Sequence, residues 1–147
     1  MREIKFRGYS KEYKQWFYGY LSIIPYKYLD TKVIKHLILK KQSDYVEDID
    51  VSQCVIVEEE SVAQYTGFKD KNGVEIYEGD IVKYETYDEI DTYINKAEVF
   101  FDNESGMWKA EVEREKEIIG DIQLSLLEGI AFEVIGNTYE EKLKEGK

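Results

Sequence analysis

Apolar and polar positions alternate with a period of two along much of the chain. Residues 2–7 set Arg2, Ile4 and Phe6 against Glu3, Lys5 and Arg7, which predicts a strand with Ile4 and Phe6 on one face. Gly8 to Lys14 is polar and predicts a turn. Gln15 to Ile24 is rich in Trp, Phe, Tyr, Leu and Ile, and predicts a second strand in a hairpin with the first. Pro25 either ends it or leaves it at a sheet edge. Val33–Leu39 is β-branched and favours a strand, although Ile34, Leu37 and Ile38 would also share one helical face. Val46–Asp50 and Cys54–Val57 continue the strand-like texture, with Asp44, Glu47, Asp48 and Asp50 between them.

The composition shifts near residue 62. Beyond it Asn72-Gly73 and Glu78-Gly79-Asp80 read as tight turns around Val74–Tyr77, and Ile81–Tyr84 leaves the second turn as a short strand. Residues 85–95 are acidic and predict an exposed loop or hairpin tip. Lys96–Phe101 and Met107–Val112 flank a turn at residues 102–106 and predict a further hairpin. Glu111–Glu117 reads as a solvated charge run, and residues 118–127 are apolar without a clear period. Ile130–Ile135 predicts a strand stopped at Gly136-Asn137, and residues 138–147 are helix-prone with a charged end. Short strands between Gly turns suggest a small barrel or sandwich, and we expect a closed, twisted barrel from about Tyr65 to Tyr139. The expected organisation is a smaller strand-rich N-terminal unit (residues 1–62), a barrel (63–140) and a charged tail (141–147). The fold class is mainly β, α+β overall.

Composition excludes some classes. Aromatics make up 14% of 147 residues, too many for a disordered chain. One cysteine cannot form an internal disulfide, and one Cys with one His cannot build a Cys/His zinc site. No run resembles a signal peptide or approaches the ~20 apolar residues of a membrane span, so no membrane association is expected. The net charge of −11 is uneven. Residues 1–43 hold ten Lys/Arg against three Asp/Glu, net +7, and residues 44–147 hold ten against 28, net −18. The basic part can simply pair with the acidic remainder. It also interleaves cations with rings, as a single-strand binder does, making Arg7, Tyr9, Trp16 and Tyr18 candidates for a partner surface. Overall acidity opposes approach to phosphate. The acidic part in turn suggests a DNA mimic or a surface for a basic partner.

No catalytic constellation is visible. His36 lies inside an apolar run, and Cys54 precedes Val55-Ile56-Val57 without an adjacent base, which a nucleophilic thiol requires. Asp70-Lys71-Asn72-Gly73 resembles a fragment of a calcium loop, but a hairpin turn accounts for it. P-loop, GxGxxG and GxSxG motifs are absent. We therefore expect no enzyme, no cofactor and no metal.

The stretch Gln64-Tyr65-Thr66-Gly67-Phe68-Lys69-Asp70-Lys71-Asn72-Gly73, followed by Glu75-Ile76-Tyr77-Glu78-Gly79-Asp80-Ile81-Val82, resembles the YopX-like family of phage and prophage proteins. Residues 1–7 resemble that family's opening and residues 132–140 its closing, while residues 20–60 and 85–125 depart freely. The resemblance implies a mainly β fold with an SH3-like barrel in the C-terminal part, and it brings no particular reaction with it. It places the protein in the cytoplasm of a bacterial host. Tyr65, Thr66, Gly67, Asp70, Gly73, Tyr77, Gly79 and Asp80 carry the motif. Their glycines suit positive φ and Asp80 suits a braced turn, so the motif reads as fold before site. The expected function is a non-catalytic accessory module that binds a host or phage protein through its N-terminal aromatics or the acidic loop 85–95. Nucleic-acid binding and DNA mimicry are the alternatives, and exposed rings on edge strands leave homo-oligomer formation open.

Overall fold

The computed structural model describes residues 3–28, 31–39 and 54–146, and the side chains of all of these except residues 25–28 and 31–35. The strand-like run expected at residues 46–50 lies outside them. Among the described residues the protein is mainly β, with two antiparallel sheets and few helices. The chain divides into two compact units, Met1–Tyr65 and Thr66–Lys147.

In the first unit the strand order is β4 (Cys54–Val57), β3 (Thr31–Leu39), β2 (Gln15–Tyr28), β1 (Phe6–Ser10) and the start of β5 (Ala63–Lys69). The first strand starts later than the alternation of residues 2–7 suggests. Gly8, Tyr9 and Ser10 belong to it, and the turn is confined to Lys11–Lys14, with Lys14 at φ 55°. Gly8 is a strand residue because Val57 packs directly on it: a Cβ at position 8 would lie 2.6 Å from Val57 Cγ2. The sheet therefore curls, and the Glu58 N–H donates to the Tyr9 carbonyl at 2.9 Å. Gly19 serves the same curvature, since a Cβ there would strike the Leu39 carbonyl oxygen. Pro25 does not end β2. Pairing with β1 stops at Gly19, so Pro25 faces only β3, opposite Ile34, and its missing N–H disrupts no second ladder. Val33–Leu39 is strand, fixed by partners on both sides at residues 36–39.

In the second unit β5 continues beside β6 (Glu75–Tyr77), and five strands form a separate sheet. Their order is β10 (Glu117–Gln123), β9 (Met107–Arg114), β8 (Thr92–Asp102), β7 (Asp80–Tyr87) and β11 (Phe132–Asn137). The short helix α1 (Leu124–Leu127) packs its two buried leucines into the core, and α2 (Thr138–Lys144) follows β11. The expected closed barrel does not form. Closure would need β10 to pair with β11, and these are the two edges of an open sheet. α1, together with Phe68 and Ile130, covers the inner face where closing strands would have been. That face carries Val82, Tyr84, Ala97, Val99, Trp108, Ala110, Val112 and Phe132, alternate residues of four strands.

The charge run 111–117 is exposed apart from Val112 and the half-buried Arg114, and it forms a hairpin. β9 continues to Arg114 and turns tightly through Glu115 and Lys116, at φ 51° and 70°, into β10. Two consecutive positive φ values match the right-handed twist of a hairpin. The indistinct apolar stretch 118–127 is β10 and α1, and its period is blurred by a register shift between Ile118 and Gly120. The helix-prone end is α2, whose N-cap Asn137 Oδ1 accepts from the Glu140 N–H at 2.9 Å.

The close approach at Gly19 sets a first prediction. Gly19→Ala loses at least ~2 kcal/mol of stability in urea unfolding, as overpacked interiors do. Gly136→Ala, whose Cβ meets nothing within 4 Å, changes it by less than ~0.5 kcal/mol.

Candidate functional site

Asp70 is a buried carboxylate at the turn between β5 and β6. Its Oδ1 accepts the N–H groups of Asn72 and Val74 at 2.8 and 2.9 Å, and its Oδ2 accepts that of Val134 at 3.0 Å. The Lys71 N–H donates to the Phe132 carbonyl at 3.1 Å, and Lys71 Nζ lies 3.1 Å from Glu133 Oε2. Residues 70–71 thus cover the outer side of β11 and fix where it starts. Burial alone would raise the Asp70 pKa, but the three N–H donors and the Lys71 charge outweigh it and hold the carboxyl below its usual range.

β11 starts opposite Tyr84. Among the described residues, the last three of β7, Glu85, Thr86 and Tyr87, therefore have β8 on one side and no strand on the other. Beside this open edge lies a groove of ≈ 660 Å³, bounded by Lys71, Lys83 and Glu133 at one end and by Gly129–Ala131 along the side facing β7. The groove leads to the β7–β8 hairpin tip. There Tyr87 is 84% and Ile90 88% exposed, and Ile94 projects on the same face as Tyr87. The tip is nonetheless built. Asp88 Oδ1 accepts the N–H groups of Ile90 and Asp91, each at 2.8 Å, and the Tyr93 hydroxyl donates to Asp88 Oδ2 at 3.1 Å. Beneath it Arg114 reaches across from β9. Its Nε donates to Asn95 Oδ1 at 2.9 Å, its Nη2 to Thr86 Oγ1 at 3.3 Å, and its guanidinium lies 4.5 Å from the Tyr93 ring centroid. Asn95 is fully buried and donates in turn to Thr86 Oγ1 at 3.0 Å. Two large apolar side chains are thereby held out in water on a support of satisfied polar groups.

A model of the YopX protein family matches residues 5–143. The chain belongs to the YopX family. It is also similar to the crystal structure of protein EF1440 from Enterococcus faecalis, with 23% identity, a TM-score of 0.45 and coverage of 96% of each chain. None of the curated proteins matches it.

In this YopX-family chain the motif side chains are spent inside the fold. Thr66 Oγ1 donates to the Ile76 carbonyl and accepts from the Phe68 N–H. Asp80 Oδ2 accepts the Tyr77 N–H at 2.8 Å, and the Tyr77 hydroxyl donates to Glu75 Oε2 at 2.8 Å. Gly67, Gly73 and Gly79 all have positive φ. Tyr65, at the end of the first unit, is buried with Lys5 Nζ 5.7 Å from its ring centroid.

Arg7, Tyr9, Trp16 and Tyr18 do meet on one face of the β1–β2 hairpin, because Arg7 pairs with Tyr18 and Tyr9 with Trp16. Arg7 stacks 4.7 Å from the Trp16 ring centroid and keeps only 7% exposure, while Tyr9 meets Trp16 edge-on. Of the four, Tyr18 is the exposed one. His36 and Cys54 project from opposite faces of the sheet, since Cys54 pairs with Leu39 and His36 with Val57. Among the described residues no three His, Cys, Asp or Glu side chains converge as a metal would require, and no helix is long and apolar enough to cross a membrane.

The outer face of the five-stranded sheet interleaves its charges. Glu98 faces Glu111 and Lys96 faces Glu113 across β8 and β9, while Lys109 binds Asp102 at 2.7 Å and Asp121 at 3.3 Å. Withdrawal from water and the Glu111 and Glu141 charges raise the Glu98 pKa, against the opposing pull of Lys142.

The acidic tip expected over 85–95 is confined to residues 88–91, because β7 runs on to Tyr87 and β8 starts at Thr92, and Asn95 is buried. Arg114 and Asn95 carried no local signal, because they meet across strands.

Two substitutions follow, with opposite signs. Asp70 has its pKa lowered on folding, so its stabilisation is complete above about 3.8, the unfolded value, and is lost as pH falls through the lower folded value. Asp70→Asn should cost about 1–3 kcal/mol at neutral pH and flatten the acid limb of the stability profile in urea titrations. Glu98 has its pKa raised, so its favourable contribution is present below about 4.5 and is lost as pH rises through the folded value. Glu98→Gln should raise the urea midpoint at pH 7, with the gain vanishing towards pH 4.

Proposed function

We propose that this protein is a non-catalytic module that binds another protein through the β7–β8 hairpin tip. The observation that carries the reading is the exposure of Tyr87 and Ile90, 84% and 88%, on a hairpin braced by Asp88, Asn95 and Arg114. Single exposed apolar residues are ordinary. A pair on a rigid tip is different, because its burial by a partner costs little ordering entropy and removes large apolar area from water. Tyrosine is also a residue in which binding energy concentrates.

The partner is a host or phage protein, and the setting is the cytoplasm of a bacterium that carries the phage or prophage. Kinship with the YopX family supports this setting. The likeness to an SH3-like barrel extends no further than short strands and tight turns in residues 66–147. Nucleic-acid binding by the N-terminal face is the weaker reading, since the Arg7 cation is already stacked on Trp16. DNA mimicry is weaker too, since Lys83, Lys96 and Lys109 interrupt the carboxylates on the outer face of the sheet.

Affinity capture from a lysate of the source bacterium, with and without nuclease, tests the reading. A specific protein retained in both arms is expected. Tyr87→Ser/Ile90→Ser should lose at least tenfold of it while changing stability by less than ~0.5 kcal/mol. Capture that depends on nucleic acid, or that is indifferent to the double variant, overturns the proposal.

A further inference from the structure

We propose that the open edge of β7 takes an extended, basic segment of the partner as an added β-strand, an inference that rests on the protein-binding reading above. A strand edge with no neighbour presents backbone donors and acceptors that another chain can complete. Here the open stretch is Glu85–Tyr87, which no other described strand covers because β11 begins opposite Tyr84. The groove of ≈ 660 Å³ runs along that stretch, so the space for a strand already exists.

The register specifies what the segment carries. Along β7, Val82 and Tyr84 face the core, so Thr86 lies on the core side and Glu85 and Tyr87 on the outer side. A residue added opposite Thr86 would meet Ile130, which is half-buried against the core, and should be apolar. Its two neighbours would meet the Glu85 carboxylate and the exposed Tyr87 ring, which favours lysine or arginine. Arginine suits both, pairing with a carboxylate and stacking on a ring. Charge agrees with this assignment. Residues 85–95 contain Glu85, Asp88, Glu89 and Asp91 and no Lys or Arg. Lys71 is held by Glu133, and Lys83 lies opposite Glu133 in the β7–β11 register. A segment alternating basic and apolar residues matches the edge on both of its faces.

The probe is a capped seven-residue peptide of alternating arginine and isoleucine, titrated into the full-length ¹⁵N-labelled protein. Amide shifts should concentrate at residues 84–87 and 129–131. Two further peptides carry N-methyl groups, one on its isoleucines and the other on its arginines. In an added strand alternate residues turn their N–H groups towards and away from the neighbour. One of the two peptides should therefore bind at least tenfold more weakly than the parent and the other about as well. Replacing arginine by glutamate in the peptide, or Glu85→Lys in the protein, should also weaken binding at least tenfold. Equal binding by both N-methyl peptides and the parent, or shifts spread over the acidic surface, overturns strand addition. If the peptide fails while lysate capture still depends on Tyr87 and Ile90, the protein-binding reading stands without strand addition. If the peptide passes while capture ignores those residues, strand addition stands and the tip is not the partner's anchor.

Discussion

The second unit depends on one buried carboxylate. Asp70 gathers N–H groups from Asn72, Val74 and Val134, the last 64 residues away in sequence. A carboxylate removed from water is costly unless its lone pairs are filled, and here three donors fill them. The same contact covers the outer side of β11, an edge that would otherwise be open. Together with the Lys71 N–H on the Phe132 carbonyl it sets the first residue of β11. The position where β11 begins decides how much of β7 is left without a neighbour. A turn in the family motif, itself buried, thus determines the shape of a surface that the motif does not contribute to.

Three features of the hairpin act in one direction. Asp88 fixes the turn, Arg114 ties β9 to β7 through Thr86 and to β8 through Asn95, and the Tyr93 ring lies against the guanidinium. A long, unsupported hairpin tip would sample many conformations, and each would have to be given up on binding. The polar network would remove that cost in advance of the proposed binding. It also explains why a fully buried asparagine is tolerated between strands. Its carbonyl and amide are both engaged, so it incurs no unsatisfied-group penalty.

Much of this was legible in the residues. The turns at Gly73, Gly79 and 102–106, the strands Gln15–Ile24, Lys96–Phe101 and Met107–Val112, and the terminal helix follow from period and turn chemistry alone. The misreadings share a cause. Alternation starts β1 too early because Gly8 looks like a turn, whereas it is a strand glycine dictated by Val57, a residue distant in sequence. The β9–β10 hairpin was hidden because Glu115 and Lys116 adopt positive φ without glycine or asparagine. The open sheet resembles a barrel in sequence because strand count and spacing are the same in both, and only pairing between the first and last strands separates them. The acidic tip was visible as composition. Its support was not, because Thr86, Asn95 and Arg114 lie on three strands and converge only after the sheet has formed.

The charge layout fits a division of labour in the recognition proposed above. Residues 85–95 carry Glu85, Asp88, Glu89 and Asp91 and no Lys or Arg, and screening beyond roughly 8–10 Å limits their reach at physiological salt. In the proposed complex they would therefore steer encounter more than they hold the partner. In that complex, retention would fall to contacts that salt does not screen, the burial of Tyr87 and Ile90 and the main-chain bonds available along β7. The two are adjacent because Tyr87 is both the last residue of the open edge and the first residue of the exposed tip. Shortening β11 would lengthen the edge but separate its far end from the tip. Lengthening β11 by three residues would remove the edge and bury the approach to Tyr87. The start of β11 at Phe132, held by Asp70 and Lys71, is the arrangement in which both contacts are available to one extended chain.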